Sequence, residues 1–213
     1  MTEGHGRARR AGAWPRARLF GLFAAGVIVF EGSRLLVRRL PITSLEERVF
    51  RAANEASDAL RTPVRAVMQA GTFVTVPIAS AIAFLAGRRR LAARLALGGT
   101  AAWLLAKGAK PLGGRPRPEG VLEDVRTREG IEGDLGWVSG HTAVATTLAL
   151  TASPDMPAWS RPALGGVVAA TGFGRMYVGA HLPLDLVGGA GLGMMIAAVV
   201  RGLPWLRGER GAT

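Results

Sequence analysis

The chain has 213 residues, is 49% hydrophobic with a mean hydropathy of +0.25, and carries 27 lysines and arginines against 15 aspartates and glutamates. That apolar content exceeds an ordinary soluble domain and fits one bundle of membrane helices, so the formal charge of +12 is read as arginine meeting anionic lipid headgroups, with no nucleic-acid partner. Cysteine is absent, which excludes disulfides, thiolate catalysis and cysteine-held metals.

Residues 1–17 are polar and basic, with Arg7, Arg9, Arg10 and Arg16, and are expected to form a flexible cytoplasmic tail. Residues 19–37 form the first expected span, retained because no small-residue cleavage site closes it. Glu31 and Arg34, three apart near its far end, are placed to pair. In "TSLEERVFRAANEASDALRTPV", Ser44 and Glu47 make a capping-box pattern. Leu45, Val49, Ala53, Ala56 and Leu60 then recur at helical spacing, which predicts an amphipathic helix at the membrane interface.

Residues 66–86 carry no charge and are long enough to cross a bilayer, with a kink expected at Pro77. The run "GRRRLAAR" supplies Arg88, Arg89, Arg90 and Arg94, a cytoplasmic signal, and the third span is expected at 91–106. Residues 107–140 are polar and rich in glycine and proline. Further spans are expected at 141–153, 162–173 and 184–200, and these reach bilayer length only if His141, Arg175 and Asp185 sit at helix ends. Gly189 and Gly193 form a small-xxx-small pair for close helix packing. The tail from 202 carries Arg207 and Arg210 and is expected to be flexible and cytoplasmic. The expected fold is therefore an all-α membrane protein. One six-span domain covers 18–201, with an amphipathic interfacial helix between spans one and two.

Six spans put both termini on one side, the cytoplasm by the arginine pattern. Lys110 then follows an exiting span, His141 opens a re-entering one, Arg175 ends the next exit, and His181 and Asp185 open the last. All five converge on the extracytoplasmic face. The segment "KPLGGRPRP" contributes Lys110, Arg115 and Arg117. Grouping Lys110, Arg117 and Arg175 without matching acids costs Coulomb energy unless an anion joins them, and a phosphate suits guanidinium forks. In "VSGHT", Ser139 and Gly140 open a helix whose unpaired N–H groups favour anions. A plain N-cap explains Ser139 equally well. His181 and Asp185 are four apart, so on a helix the carboxylate accepts the imidazole N–H and leaves the other nitrogen free as a nucleophile. Two histidines and an aspartate also suit zinc, but three adjacent cations oppose it.

Together these residues resemble the type 2 phosphatidic acid phosphatase superfamily, whose soluble cousins include the vanadium haloperoxidases. Lys110 to Arg117-Pro118 matches its first motif, and Ser139-Gly140-His141 its second, with Val138 where the family has proline. Arg175, His181 and Asp185 match the third, with Gly174 where the family has serine. The likeness covers residues 66–200. It implies an integral membrane phosphatase acting on a lipid phosphate or prenyl (pyro)phosphate, with no cofactor and no metal. In that reading His181 attacks phosphorus to form a phosphohistidine, His141 protonates the leaving oxygen and then activates water, and Asp185 orients His181. Lys110, Arg117, Arg175, Ser139 and the Gly140 amide hold the phosphate oxygens. Val138 and Gly174 are expected to reduce or alter rates. The implied setting is a bacterial plasma membrane with membrane lipid as partner. Two alternatives stand beside hydrolysis: transfer of the phosphoryl group to a non-water acceptor, and non-catalytic binding of lipid phosphates. The segment "EGVLEDVRTREGIEGD" is long enough either to cover a headgroup or to be a solvated excursion.

Overall fold

A computed structural model of the chain describes residues 14–130 and 133–206. Both expected tails lie largely outside these residues. Among the described residues the regular structure is helical, apart from a single antiparallel bridge between Pro116 and Leu135.

Helix α1 (Arg16–Arg39) is the expected first span, extended at both ends, and the expected Glu31–Arg34 pair forms at 2.6 Å. Helix α2 (Ser44–Asn54) starts one residue earlier than its sequence pattern suggested. Thr43, not Ser44, is the N-cap, and its hydroxyl accepts from the N–H of Glu46. Glu47 instead pairs with Arg51 one turn on.

The uncharged run expected as one span is broken. Helix α3 (Arg61–Met68) continues as a single tight turn at Gln69–Gly71, and α4 (Thr75–Leu85) leaves at 68° to it. Pro77 lies in the first turn of α4, where a missing N–H costs nothing, so it is not the hinge. The hinge is at 69–74. There the hydroxyls of Thr72 and Thr75 both donate to the Gln69 carbonyl, and Gly71 lies against the His141 backbone, where a Cβ would come within 2.6 Å. Backbone contact of that kind admits only glycine.

Helix α5 (Arg89–Gly113) runs well past its expected end, through Lys110, and closes on Gly114 with φ 62°. Helices α6 (Gly140–Ala152), α7 (Arg161–Tyr177) and α8 (Pro183–Gly202) follow. Helix α8 is central because two of its faces are glycine. Gly189 and Gly193 lie against Ser139, Ala143 and Thr146 of the α6 side, while Gly191 meets the backbone of Gly26 and Phe30 on α1. A core of Phe30, Val76, Leu95, Trp137, Val144, Leu148, Ile196 and Val200 fills the space between α1, α4, α5, α6 and α8. At the bundle end away from the loop 114–139, Asp155 gathers the guanidinium groups of Arg94 and Arg201 at 3.6 and 2.8 Å.

Two helices, Arg16–Arg39 and Pro183–Gly202, are long and apolar enough to cross a membrane unaided, and the bent pair spanning Asp58–Leu85 would make a third. The remaining helices of the expected six are shorter or more polar.

Candidate active site

Five stretches of the chain deliver charged and imidazole groups to one end of the bundle. Lys110 ends α5, Arg117 lies in the loop after it, His141 is in the first turn of α6, and Arg175 is in the last turn of α7. His181 lies in the five-residue connection before α8. All five line one cavity of about 500 Å³, together with Gly140 and the α3–α4 hinge. Helix periodicity brings them there: three chain reversals at the same end of the bundle place residues 70 positions apart at one depth.

The cations are aimed by backbone carbonyls. Lys110 Nζ donates to the Leu135 carbonyl at 2.7 Å, and Arg117 donates through Nε to Gly133 and through Nη1 to Ala180. Arg175 is buried, with Nη1 3.6 Å from the Glu129 carboxylate and 3.6 Å from Met68 Sδ. At Lys110 and Arg117 the carbonyl partners fix direction without neutralising charge, whereas Arg175 is partly offset by Glu129.

His181 is not on the helix that the four-residue spacing suggested. Leu182 is the N-cap of α8, and Asp185 is the third residue of that helix. Asp185 Oδ2 accepts from the Leu182 N–H at 2.9 Å and lies 3.5 Å from His181 Nδ1. Ring and carboxylate are therefore neighbours without the expected hydrogen bond, brought together by a helix cap and the residue before it and not by one helix face. Burial, then the charges of Arg175, Lys110 and Arg117, hold His181 well below the ordinary imidazole range, so the ring is neutral. A neutral imidazole has a lone pair to offer.

Behind Asp185 stands a group that sequence reasoning missed. Arg115 makes a two-pronged bond to Glu46 of α2, both prongs 2.7 Å, and its Nη1 is 3.5 Å from Asp185 Oδ1. Glu46 Oε1 also accepts from the N–H of Leu184. Glu46, Arg115 and Asp185 are all buried. Arg115 stood out within the first motif, but Glu46 lay in a stretch read as a surface helix. Its only sequence signal was an acid on the apolar side of the α2 pattern, one residue after Leu45.

The loop read as either headgroup cover or excursion is tied down in part. Asn54 at the end of α2 accepts from the Arg126 N–H and donates to the carbonyls of Arg126, Met176 and Tyr177. Arg128 donates to the carbonyls of Asn54, Ala56 and Tyr177 and lies over the Tyr177 ring. These anchors bring Glu129 to the cavity, where it pairs with Arg65 at 3.1 Å and faces Arg175.

Ser139 caps α6 and is fully buried, its hydroxyl accepting from the N–H and the hydroxyl of Thr142; it does not line the cavity. Gly174, where the resembled family has serine, packs on Met68, and a Cβ there would meet three Met68 atoms at 3.3 Å. Val138 is fully buried beside Trp137.

The fold is an all-helical bundle with a cationic, imidazole-lined cavity at one end, and sequence comparison gives its family. The sequence model of the PAP2 superfamily matches residues 89–209, and the chain belongs to that superfamily. It is 26% identical over 127 residues to an undecaprenyl-diphosphatase of Sulfolobus acidocaldarius, covering 59% of this chain; the match spans about three fifths (61%) of that relative's length. In fold it is similar to LpxE of Aquifex aeolicus (TM-score 0.69, 24% identity, 77% of this chain and 100% of that one). It is also similar in fold to a transmembrane PAP2-type phosphatidylglycerolphosphate phosphatase of Bacillus subtilis (TM-score 0.62, 21% identity, 86% and 94%).

Proposed function

We propose that this protein is an integral membrane phosphatase that hydrolyses a lipid phosphate or a prenyl diphosphate through a phosphohistidine. The observation that carries this reading is the single cavity into which three distant segments deliver Lys110, Arg117, Arg175, His141 and His181. Family membership and the name of the Sulfolobus relative, an undecaprenyl-diphosphatase, support the lipid character of the substrate. The similarity of the fold to a transmembrane protein supports the membrane setting; in this reading six passages cross it, with α3 and α4 making one broken span. The cavity then opens on the extracytoplasmic side, since the arginines of residues 88–90 lie at the other end of α5.

His181 faces Asp185 through Nδ1, so Nε2 is the attacking atom. Its lone pair forms the P–N bond as the P–O bond to the lipid breaks, and His141 donates a proton to the departing oxygen. His141 then takes a proton from water as the water oxygen attacks phosphorus, and the P–N bond breaks with its electrons returning to His181. Lys110, Arg117, Arg175 and the Gly140 amide balance the charge on the phosphoryl oxygens throughout.

Purified protein, mixed rapidly with a radiolabelled lipid phosphate and quenched in base, should retain label on His181. His181→Gln should lose both the label and turnover, by roughly a thousandfold or more. Full turnover by that variant would remove the reading.

A further inference from the structure

In this chain all but two of the 27 basic residues are arginine, and the two lysines, Lys107 and Lys110, line the same cavity. Trp103, Ala106, Lys107 and Lys110 are spaced i, i+3, i+4, i+7, so a single face of α5 forms that wall. Lys107 is one turn back from the phosphate cations, roughly 4.5 Å along the axis. Its ammonium sits 3.9 Å above the Trp103 ring, and Trp103 in turn packs on Phe73 of the α3–α4 hinge with ring centroids 4.9 Å apart. An exposed lysine on a lipid-facing helix ordinarily snorkels outward. Lys107 is exposed, as are Leu104 and Leu105, yet its ammonium is directed onto an aromatic face that borders the cavity. A tryptophan face holds an ammonium in place without neutralising it.

We infer that Lys107, held on Trp103, is a second anion subsite that takes the inner phosphate of a lipid diphosphate and so makes diphosphates the preferred substrate. The inference rests on the phosphatase reading above. During attack, His181 bonds to the outer phosphorus, and the bond from that phosphorus to the bridging oxygen breaks. The bridging oxygen leaves with the electron pair as part of a lipid monophosphate. That group is a weak base, so what it needs on departure is a nearby cation and not a proton. A monophosphate ester expels an alkoxide, a far stronger base, which must be protonated by His141. Lys107 and His141 thus serve different leaving groups, and the two substrates should respond to the two residues in opposite order.

The test compares farnesyl diphosphate with farnesyl monophosphate, which differ by one phosphate, using the purified full chain in detergent. The ratio of kcat/KM for diphosphate over monophosphate should favour the diphosphate in wild type. It should fall by about tenfold or more in Lys107→Gln, be largely restored in Lys107→Arg, and rise in His141→Gln. A ratio that stays within twofold in Lys107→Gln would overturn the inference, because a purely structural lysine would lower both rates together. If the wild type turns over neither substrate, the phosphatase reading fails, and binding of inorganic pyrophosphate and orthophosphate decides the subsite alone. Tighter binding of pyrophosphate that disappears in Lys107→Gln would sustain it, and equal binding of the two anions would end it.

Discussion

Glu46 and Arg115 form a buried fork that touches the carboxylate behind the proposed nucleophile. Removing one member of a buried ion pair strands the other charge, a loss of roughly 3–5 kcal/mol, whereas replacing both by apolar groups is often near neutral. Thermal unfolding should therefore show Glu46→Leu and Arg115→Met each strongly destabilised and the double variant partly recovered. Turnover should stay low in the double variant even where stability returns, because Asp185 has lost the guanidinium that steadies it. At His181 the consequence concerns pH. Its folded value is depressed, so the unfolded chain takes up a proton as pH falls through about 6.5 while the native protein does not. The stability from the neutral buried ring is complete above that pH and declines below it. The Tm of wild type should drop between pH 6.5 and 5 more steeply than that of His181→Gln, and parallel curves would argue against a buried neutral ring. The individual cations and histidines that line the cavity could be picked out by residue type and spacing. Glu46 could not, because an acid on a helix reads as solvated until its guanidinium partner, 69 positions away, is placed beside it.

Among the elements, α1, α6 and α8 lie close to where hydropathy put them: arginines flank the apolar runs of α1 and α8, and Ser139 and Pro154 bound α6. The α3–α4 break was not legible. Its cause is a tertiary contact, Gly71 against His141, and no local propensity signals it. The loop 114–139 was equally opaque, because its anchors are carbonyl bonds to Asn54 and Arg128 that composition does not reveal. Asn54→Ala should lower stability by roughly 2 kcal/mol or more, as several buried backbone groups lose their partner. Glu129 competes with any anion at Arg175. Glu129→Gln should tighten inhibition by orthophosphate up to about fivefold, the equivalent of the ~1 kcal/mol of a partly exposed ion pair. Weaker inhibition would mean instead that the carboxylate holds the loop over bound phosphate.

For the molecule as a whole, alternating helix direction lets residues far apart in sequence meet at one end: Lys110, Arg117, His141, Arg175 and His181 line one cavity, with Asp185 beside His181. The side of the membrane is open to direct measurement because the sequence contains no cysteine. Single cysteines at Glu119 and at Arg89 should react with an impermeant thiol reagent from outside and inside intact cells respectively; the reverse pattern would invert the proposed orientation. Gly191→Val should disrupt the bundle, since a Cβ at that position would approach the Phe30 backbone nitrogen to 2.6 Å.

That contact joins α1 to α8 in antiparallel register, with Leu19 near Gly202 and Ser33 near Gly188. Helix α1 thus leaves the ribosome well before the helix it docks on. At typical elongation rates of roughly 5–20 residues per second, α1 waits on the order of ten seconds for that partner. During this interval the nascent protein depends on insertion machinery or on surrounding lipid to keep α1 from pairing wrongly. A message truncated before α8 would release an orphaned anchor suited to quality-control proteolysis.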